Sequence, residues 1–219
     1  MGQEINLMEN YPKSKRNVDE RGMEKTEDDR ALARKFGKEF FDGDRSHGYG
    51  GYSYNPRFWQ PVIPTFQRHW GLDASSSVLD VGCGKGFMMH DFAELIPGIT
   101  VKGIDISEYA IENAIEDMKP HVQVADAKKL PFPDDSFDVV ISVTTVHNLE
   151  GEDLKNALRE IERVSRKGAF ITVDAYTDEE EKKRMFAWNL TAQTILHVDE
   201  WKNLFDEVGY TGDYYWFMP

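Results

Sequence analysis

The stretch SVLDVGCGKGFM, from Ser77 to Met88, decides the fold. Residues 77–81 have the apolar, β-favouring sequence of an interior strand, and the glycines at 82, 84 and 86 mark a turn that tolerates positive φ and close approach of a ligand. Apolar residues then recur at helical spacing as far as Leu95. A strand, a glycine turn and a helix in this order are typical of α/β domains that bind a nucleotide-like ligand at the carboxyl ends of their strands.

Length and charge limit the classes of protein that this chain can represent. Its 219 residues suffice for one substantial domain, and its formal net charge at pH 7 is −13. This charge repels phosphate backbones and anionic membrane surfaces, so we expect a small-molecule substrate and neither nucleic acid nor membrane as a partner. Nothing in the sequence predicts the oligomeric state.

Cysteine usage and hydropathy indicate the compartment. The single cysteine, Cys83, rules out an internal disulfide and fits a reducing environment. No apolar run approaches the roughly 18 residues that span a bilayer, and the N-terminus has no apolar signal core. We therefore expect a cytoplasmic protein.

Three regions follow one another along the chain. Residues 1–24 are polar and mixed in charge, which predicts a flexible arm, frayed or ordered only by docking. Residues 25–70 predict a helical cap and a lid rich in glycine and aromatic side chains, with helices over 26–41 and from about 56 to 70. Residues 71–219 alternate strand and helix, which favours a parallel sheet covered on both faces.

Within the third region the pattern assigns each element. Strands are predicted near 77–81, 101–105, 121–124, 137–143, 169–174 and 212–219, and helices near 86–95, 107–117, 151–166, 177–188 and 199–208.

The glycine turn excludes two common nucleotide sites. A dinucleotide fingerprint needs a third glycine where Phe87 stands, and a P-loop needs Ser or Thr after Lys85, where Gly86 follows. The spacing present is DxGxGxG, beginning at Asp80. A second strand ends in GIDIS, and its Asp105 can accept hydrogen bonds from both hydroxyls of a ribose. This feature alone does not separate NAD from other adenosine ligands.

Five segments in order resemble the class I S-adenosylmethionine-dependent methyltransferases of the small-molecule type: VLDVGCGKG, GIDIS, VADAKKLPF, FDVVISVTTVHNL and RVSRKGAFITVDAY. The resemblance covers roughly Trp70 to Tyr176 and implies an α/β, Rossmann-like, doubly wound and mostly parallel sheet. The family's sheet usually ends with two further strands, one of them antiparallel. Here one strand pattern follows Gly209.

The resemblance implies a site for S-adenosylmethionine, with S-adenosylhomocysteine as the product. Gly82, Gly84 and Gly86 would let the backbone touch the methionine portion, and Asp80 would hold the turn or the amino group. Asp105 would bind the ribose hydroxyls.

The resemblance also implies an adenine pocket. Ile106 would pack on the ring, Asp126 with the Ala127 backbone would contact the amino edge, and Ser142 on the fourth strand would be a further cofactor contact. A structural alternative stays open for both aspartates, because Asp105 suits the start of the next helix and Asp126 suits a turn.

Methyl transfer from a sulfonium needs positioning and desolvation, and a general base is optional. We select His147, which follows the fourth strand, as candidate base or acceptor-positioning residue, with a packed structural histidine as the alternative. Substrate or lid candidates lie in the segments expected to cover the site: Arg45, His47, Tyr49, Tyr52, Asp174, Tyr176 and His197. No set of His, Asp and Glu has convincing metal-ligand spacing, so no metal is predicted.

The sequence thus predicts an S-adenosylmethionine-dependent methyltransferase acting on an oxygen or nitrogen of a small polar metabolite, possibly carbohydrate-related. Two alternatives remain: a non-catalytic subunit that binds this cofactor, and a nicotinamide-dependent oxidoreductase, which Phe87 disfavours.

Overall fold

The computed structural model describes residues 2–12 and 25–218, and its centre is a parallel sheet. The strands are β1 (Ser77–Val81), β2 (Thr100–Asp105), β3 (Val122–Val124), β4 (Phe137–Val143), β5 (Ser165–Tyr176), β6 (Leu196–His197) and β7 (Asp213–Phe217). Their order is β3-β2-β1-β4-β5, and β7 and β6 both pair with β5. Every one of these pairs is parallel, so the predicted α/β doubly wound fold is confirmed.

Helices cover both faces of the sheet. They are α1 (Glu27–Ala33), α2 (Lys38–Asp42), α3 (Ile63–Trp70), α4 (Phe87–Leu95), α5 (Glu108–Glu112), α6 (Gly151–Val164), α7 (Glu179–Trp188) and α8 (Val198–Val208). Alternate residues of β1 serve the two faces, as the pleat requires. Leu79 packs in the cluster that contains Leu158 of α6, and Val78 packs in the one that contains Phe92 of α4.

The predicted helix over 26–41 is wrong in one respect, since the chain forms two short helices there. Phe36 has φ of 48°, a left-handed conformation that ends α1, and Gly37 then begins α2. The hydroxyl of Ser107 donates to the Phe36 carbonyl, so a tertiary contact holds the break. The helical spacing of Leu32, Phe36 and Phe40 predicted one apolar face, and these side chains are half-buried, but they do not belong to one continuous helix.

Two other predicted helices are shorter in the structure. The helix expected from about Pro56 begins at Ile63, because Pro61 and Pro64 supply no N–H groups and Pro64 fits only the first turn. The helix expected over 107–117 ends at Glu112.

The last strand of the sheet departs from the family's usual pattern. The single strand predicted after Gly209 is present as β7, and it runs parallel to β5. The two-residue β6 was not predicted, and no antiparallel strand occurs in the sheet of the described residues.

The described part of the predicted N-terminal arm is docked on β7. The N–H of Ile5 donates to the Tyr214 carbonyl at 3.0 Å, and the Leu7 side chain is buried in the core. Residues 13–24, the remainder of that predicted arm, lie outside the described residues. Among the helices that the structure describes, none has the length and hydropathy needed to cross a membrane.

Candidate active site

The glycine loop at residues 82–86 connects β1 to α4 and is tied to the end of β2. The N–H groups of Gly82 and Cys83 donate to the Ile104 carbonyl at 2.8 and 3.0 Å. Gly82, Gly84 and Gly86 have φ of 86°, 53° and 80°, a region that side chains disfavour. A Cβ at Gly82 would lie 2.1 Å from the Thr145 hydroxyl. Glycine is therefore required here for both conformation and space.

Asp105, the last residue of β2, lies beside this loop. Its carboxylate accepts hydrogen bonds from the N–H groups of Gly84 and Ser107, each at 2.8 Å. The cap of α5 is the Ser107 hydroxyl, which accepts from the Ala110 N–H. Asp105 is thus not the helix cap in this structure. Burial raises the pKa of Asp105, and its backbone donors offset part of that rise.

Asp80 is a buried carboxylate on β1. No hydrogen bond to its side chain comes from any of the described residues. Burial, and then the nearby Asp105 carboxylate, raise the pKa of Asp80 well above its usual value. A cationic ligand group placed between these two carboxylates would relieve both effects.

The residues predicted to hold an adenine ring differ in how accessible their side chains are to a ligand. Ile106 is 54% exposed, so its apolar side chain is accessible to a ring. Asp126 accepts from the Lys128 N–H at 3.0 Å, which is a local turn, and Ala127 is half-buried beside it. Ser142 is fully buried and its hydroxyl donates to the Val81 carbonyl at 3.0 Å, so it braces β4 against β1.

An aromatic group from the predicted lid covers the glycine loop. A Cβ at Gly84 would lie 3.2 Å from Cε1 of Tyr52, so this ring lies directly over the loop. The Tyr49 ring is 4.3 Å from that of Tyr52, and the Phe41 and Phe87 rings are 5.5 and 4.9 Å from it. These rings form an apolar cover next to Asp80 and Asp105.

Asp42 connects the segment predicted as a lid to the glycine loop and to α5, and sequence reasoning missed it. Its carboxylate accepts from the Lys85 ammonium at 2.6 Å, the Tyr109 hydroxyl at 2.7 Å and the Tyr52 N–H at 2.9 Å. Although burial alone raises the pKa of Asp42, these donors hold it below its usual value. The one available signal was Lys85, a cation inside a glycine turn that has no P-loop form.

Two other predicted lid residues make contacts within the cap. Arg45 donates to the Tyr49 carbonyl at 3.1 Å, and forms no ion pair with an acid of the described residues. Nε2 of His47 lies 3.1 Å from Asp29 of α1. His47 therefore connects the lid to α1, and neither side chain contacts the glycine loop.

The chain after β4 adopts a strained turn that sequence reasoning also missed. Thr144 has φ of 50°, which is costly for a β-branched residue. Its N–H donates to the carbonyl and the hydroxyl of Thr172 at 3.0 and 2.9 Å, so β5 holds the strained residue. The strain lies at the strand end that faces the glycine loop through Thr145.

His147 lies in the 3-10 turn Val146–Asn148 and is buried. Its Nδ1 accepts from the Asp174 N–H at 2.9 Å, so the neutral ring carries its proton on Nε2. Burial lowers the pKa of His147, and the Asp174 carboxylate, 3.4 Å from Nδ1, offsets part of this effect. Burial likewise raises the pKa of Asp174.

Tyr176 and His197 lie together at the end of β5. Their ring centroids are 5.7 Å apart. His197 begins α8, where its Nδ1 accepts from the Asp199 N–H at 3.2 Å. Its Nε2 lies 3.1 Å from the Thr177 carbonyl. Both ring nitrogens are thus engaged in local structure.

A cavity of about 390 Å³ opens between α1 and the segment after α7. Arg30 and Arg34 line one side, and their Nε atoms donate to the carbonyls of Asn189 and Thr191 at 3.2 and 3.4 Å. The Gln193 side lies next to His147, because the Gln193 N–H donates to the His147 carbonyl. The cavity therefore adjoins the turn that follows β4.

Comparisons with known proteins agree with this arrangement. Residues 79–173 match the family model of a methyltransferase domain. An uncharacterized methyltransferase of Bacillus subtilis, YcgJ, is 30% identical over 161 residues, which cover 67% of this chain and 62% of that protein. The tRNA (carboxymethyluridine(34)-5-O)-methyltransferase of Arabidopsis thaliana is 33% identical over 132 residues, which cover 59% of this chain and 31% of the relative. The chain thus spans less than two thirds of either relative.

Among solved structures, the crystal structure of the Bacillus subtilis YcgJ protein has a TM-score of 0.55 to this chain. The aligned part is 22% identical and covers 67% of this chain and 66% of that one. At this identity the likeness shows the fold.

Proposed function

We propose that the chain is a class I S-adenosylmethionine-dependent methyltransferase, and that it transfers a methyl group from S-adenosylmethionine to an oxygen or nitrogen of a small polar metabolite. The match of residues 79–173 to a methyltransferase domain supports this proposal. The observation that carries this proposal is the meeting of three features. The Gly84 backbone, the Asp105 carboxylate and the Tyr52 ring converge at the carboxyl ends of β1 and β2.

The residues present fit the cofactor. Asp105 keeps lone pairs that its two backbone donors do not use, and these can accept from ribose hydroxyls. Asp80 offers a buried carboxylate to the cationic methionine end, and Ile106 offers an exposed apolar surface to the adenine. Tyr52 lies over the glycine loop beside Tyr49, and an aromatic ring attracts a sulfonium charge that lies against its face.

The cofactor, when bound, supplies a methyl group on an already activated leaving group. The protein's work is then to orient the two partners and to exclude water. The aromatic cover suits the second task. His147, with its Nε2–H, can donate a hydrogen bond to an acceptor atom, which gives up its own proton to solvent once the methyl group has been transferred. The Asp174 carboxylate lies 3.4 Å from Nδ1, the other ring nitrogen, and is not on the path of that proton.

Charge and cavity chemistry support the substrate class. The net charge of −13 opposes binding of tRNA, although the Arabidopsis relative is named for a tRNA. The cavity beside His147 is lined by Arg30, Arg34, Glu27 and Glu150, a mixture of both signs. Such a lining favours a small acceptor with several polar groups, of which a sugar derivative is one kind.

The experiment is incubation of the full chain with methyl-labelled S-adenosylmethionine and a panel of sugars, amino acids, nucleotides and tRNA. We expect label in a small polar compound and release of S-adenosylhomocysteine. Binding by calorimetry, with NAD as a control, separates the alternatives. Tight binding without transfer to any class would favour a non-catalytic subunit, and label in tRNA would overturn the substrate class.

A further inference from the structure

A cluster of possible metal ligands lies on α4, outside the proposed cofactor and acceptor sites. His90, Asp91 and Glu94 each offer one ligand atom, and these atoms all lie within 4.8 Å of one another. His90 and Glu94 are partly exposed, so an ion can reach them from solvent, whereas Asp91 is fully buried. The sequence analysis found no convincing metal-binding set of His, Asp and Glu, and so it predicted no metal.

Asp91 supplies an independent observation that points to a ligand. Its Oδ1 accepts from the Tyr54 hydroxyl at 2.7 Å, whereas its Oδ2 is buried with no partner among the described residues. A buried carboxylate oxygen without a donor is costly. A cation at Oδ2 would satisfy this atom.

His90 is oriented as a metal ligand would be. Its Nδ1 lies 2.6 Å from Oδ2 of Asp117, and its Nε2 faces the Glu94 carboxylate, which also accepts from the Gln60 side chain at 3.1 Å. In the tautomer with Nδ1–H donating to Asp117, the Nε2 lone pair is available to an ion. This carboxylate–histidine arrangement fixes the tautomer and raises ligand basicity in many metal sites. The distance from Nε2 to the Glu94 Oε2 atom is 3.7 Å, too long for a hydrogen bond and close to the separation of about 3.4 Å between two ligands of a tetrahedral ion.

From these contacts we propose that His90, Asp91 and Glu94 bind a divalent transition-metal ion of the zinc class. The two carboxylates balance its charge, and the imidazole ligand favours zinc over calcium or magnesium. Asp117 acts as a positioning residue for His90. The ion would also fix Asp91, the partner of Tyr54, and so connect α4 to the end of the predicted lid. This site is independent of the proposed methyl transfer.

The test is zinc binding by the full chain after chelator treatment, measured by competition with a chromogenic chelator and by elemental analysis. We expect one equivalent of zinc and visible absorption of a cobalt-substituted form that is typical of tetrahedral geometry. His90→Gln should lose at least 10-fold in affinity, and Asp117→Asn should lose about 10-fold to 100-fold.

His69→Gln is the matched control. His69 is a similarly exposed histidine whose Nε2 lies 2.7 Å from a carboxylate of Asp213, but it belongs to no such cluster among the described residues. Zinc affinity should be unchanged in this variant. Substoichiometric zinc, or equal affinity in His90→Gln and His69→Gln, would overturn the proposal.

Asp91→Asn gives a second measurement that does not depend on full folding of the histidine variant. In the absence of zinc this variant should be at least as stable as the parent, since the buried unpartnered oxygen charge is removed. Addition of zinc should raise the melting temperature of the parent and leave that of Asp91→Asn unchanged. An equal rise in both would exclude Asp91 from the site.

Discussion

The N–H of Gly84 donates to Oδ2 of Asp105 at 2.8 Å, so the glycine loop after β1 and the acidic end of β2 are one unit. The same carboxylate accepts from the Ser107 N–H, which fixes its orientation at the site proposed for the ribose hydroxyls. A change at either Gly84 or Asp105 is therefore expected to affect binding of the cofactor.

Asp105→Ala should weaken binding of S-adenosylmethionine and S-adenosylhomocysteine by about 1.5 to 3 kcal/mol, the usual loss when hydrogen bonds to a charged group disappear. Calorimetry measures this directly. Asp105→Asn keeps an acceptor for the Gly84 N–H and should lose less. Unchanged affinity in Asp105→Ala would remove this residue from the ribose site.

Gly84→Ala should reduce cofactor affinity at least 10-fold, because the new Cβ meets the Tyr52 ring at 3.2 Å in the space proposed for the ligand. Gly71→Ala is the matched control. Gly71 has a similar positive φ, 63° against 53°, but a Cβ there meets nothing within 4 Å. Gly71→Ala should lose about 1 kcal/mol of stability because of its positive φ, and Gly84→Ala should lose at least as much because its Cβ also crowds Tyr52. Only Gly84→Ala should lose affinity. Equal affinities would contradict the proposed position of the cofactor.

The sequence could predict the half of the candidate site that is formed by residues close together along the chain. A strand, a glycine turn and a helix adjoin along the chain, and the end of β2 follows from the same periodicity. The contact of Asp42 with Lys85 was not predictable, because it joins residues far apart in sequence through a lid whose path no periodic pattern sets. The left-handed Thr144 was hidden for a similar reason, since its stabilising partner, Thr172, is on another strand.

Two buried aspartates should have opposite effects on stability. Asp80 has a raised pKa, so the folded state binds its proton more tightly, and stability falls as pH rises through and above the unfolded pKa of about 3.9. Asp80→Asn should therefore stabilise the ligand-free protein at pH 7 by on the order of 1 kcal/mol. It should also weaken binding of the cationic cofactor. Urea unfolding and calorimetry measure the two effects.

Asp138 of β4 is the matched comparison. Burial alone raises its pKa, but hydrogen bonds from Ser77, Lys167 and Arg166 lower it to about 2. Its contribution to stability is present above pH 3.9 and is lost as pH falls towards 2. Asp138→Asn should cost about 2 kcal/mol at pH 7. A loss of stability in both aspartate variants would contradict the raised pKa of Asp80.

The rate of hydrogen exchange in the predicted lid should depend on the cofactor and on Lys85. We expect hydrogen exchange over residues 40–54 to slow when S-adenosylhomocysteine is added, since the ligand supports the aromatic cover from below. Lys85→Met removes the charged donor to Asp42 and should speed exchange there without ligand. Lys155→Met, which removes an ion pair to Glu207, is the control and should leave the lid unchanged. If the rate of hydrogen exchange over residues 40–54 changes neither with ligand nor in Lys85→Met, this segment is a static cover.

His147 can be tested as a base against a positioning residue by two substitutions. His147→Ala leaves the Asp174 N–H buried without an acceptor and should cost about 1 to 3 kcal/mol of stability. His147→Asn can place its amide oxygen near the former Nδ1 and should recover most of that loss. Neither replaces Nε2, so comparison at equal folded fraction isolates the contribution of Nε2 to turnover.

With Nδ1 occupied and the pKa lowered by burial, His147 is neutral at pH 7 and carries its proton on Nε2. We therefore expect His147 to position the methyl acceptor by donating a hydrogen bond from Nε2. His147→Asn should raise the substrate KM and lower kcat by less than about 10-fold. The dependence of kcat on pH in the parent should show no ionisation near the usual histidine pKa of about 6.5. A loss of about 10² to 10⁴ in kcat, with that ionisation present in the parent and absent in the variant, would instead assign His147 as the general base. The Asp174 carboxylate lies 3.4 Å from Nδ1, the nitrogen that does not carry the proton, so Asp174→Asn should lower kcat by less than His147→Asn does, with cofactor affinity retained. A larger loss in Asp174→Asn would assign the proton to Asp174.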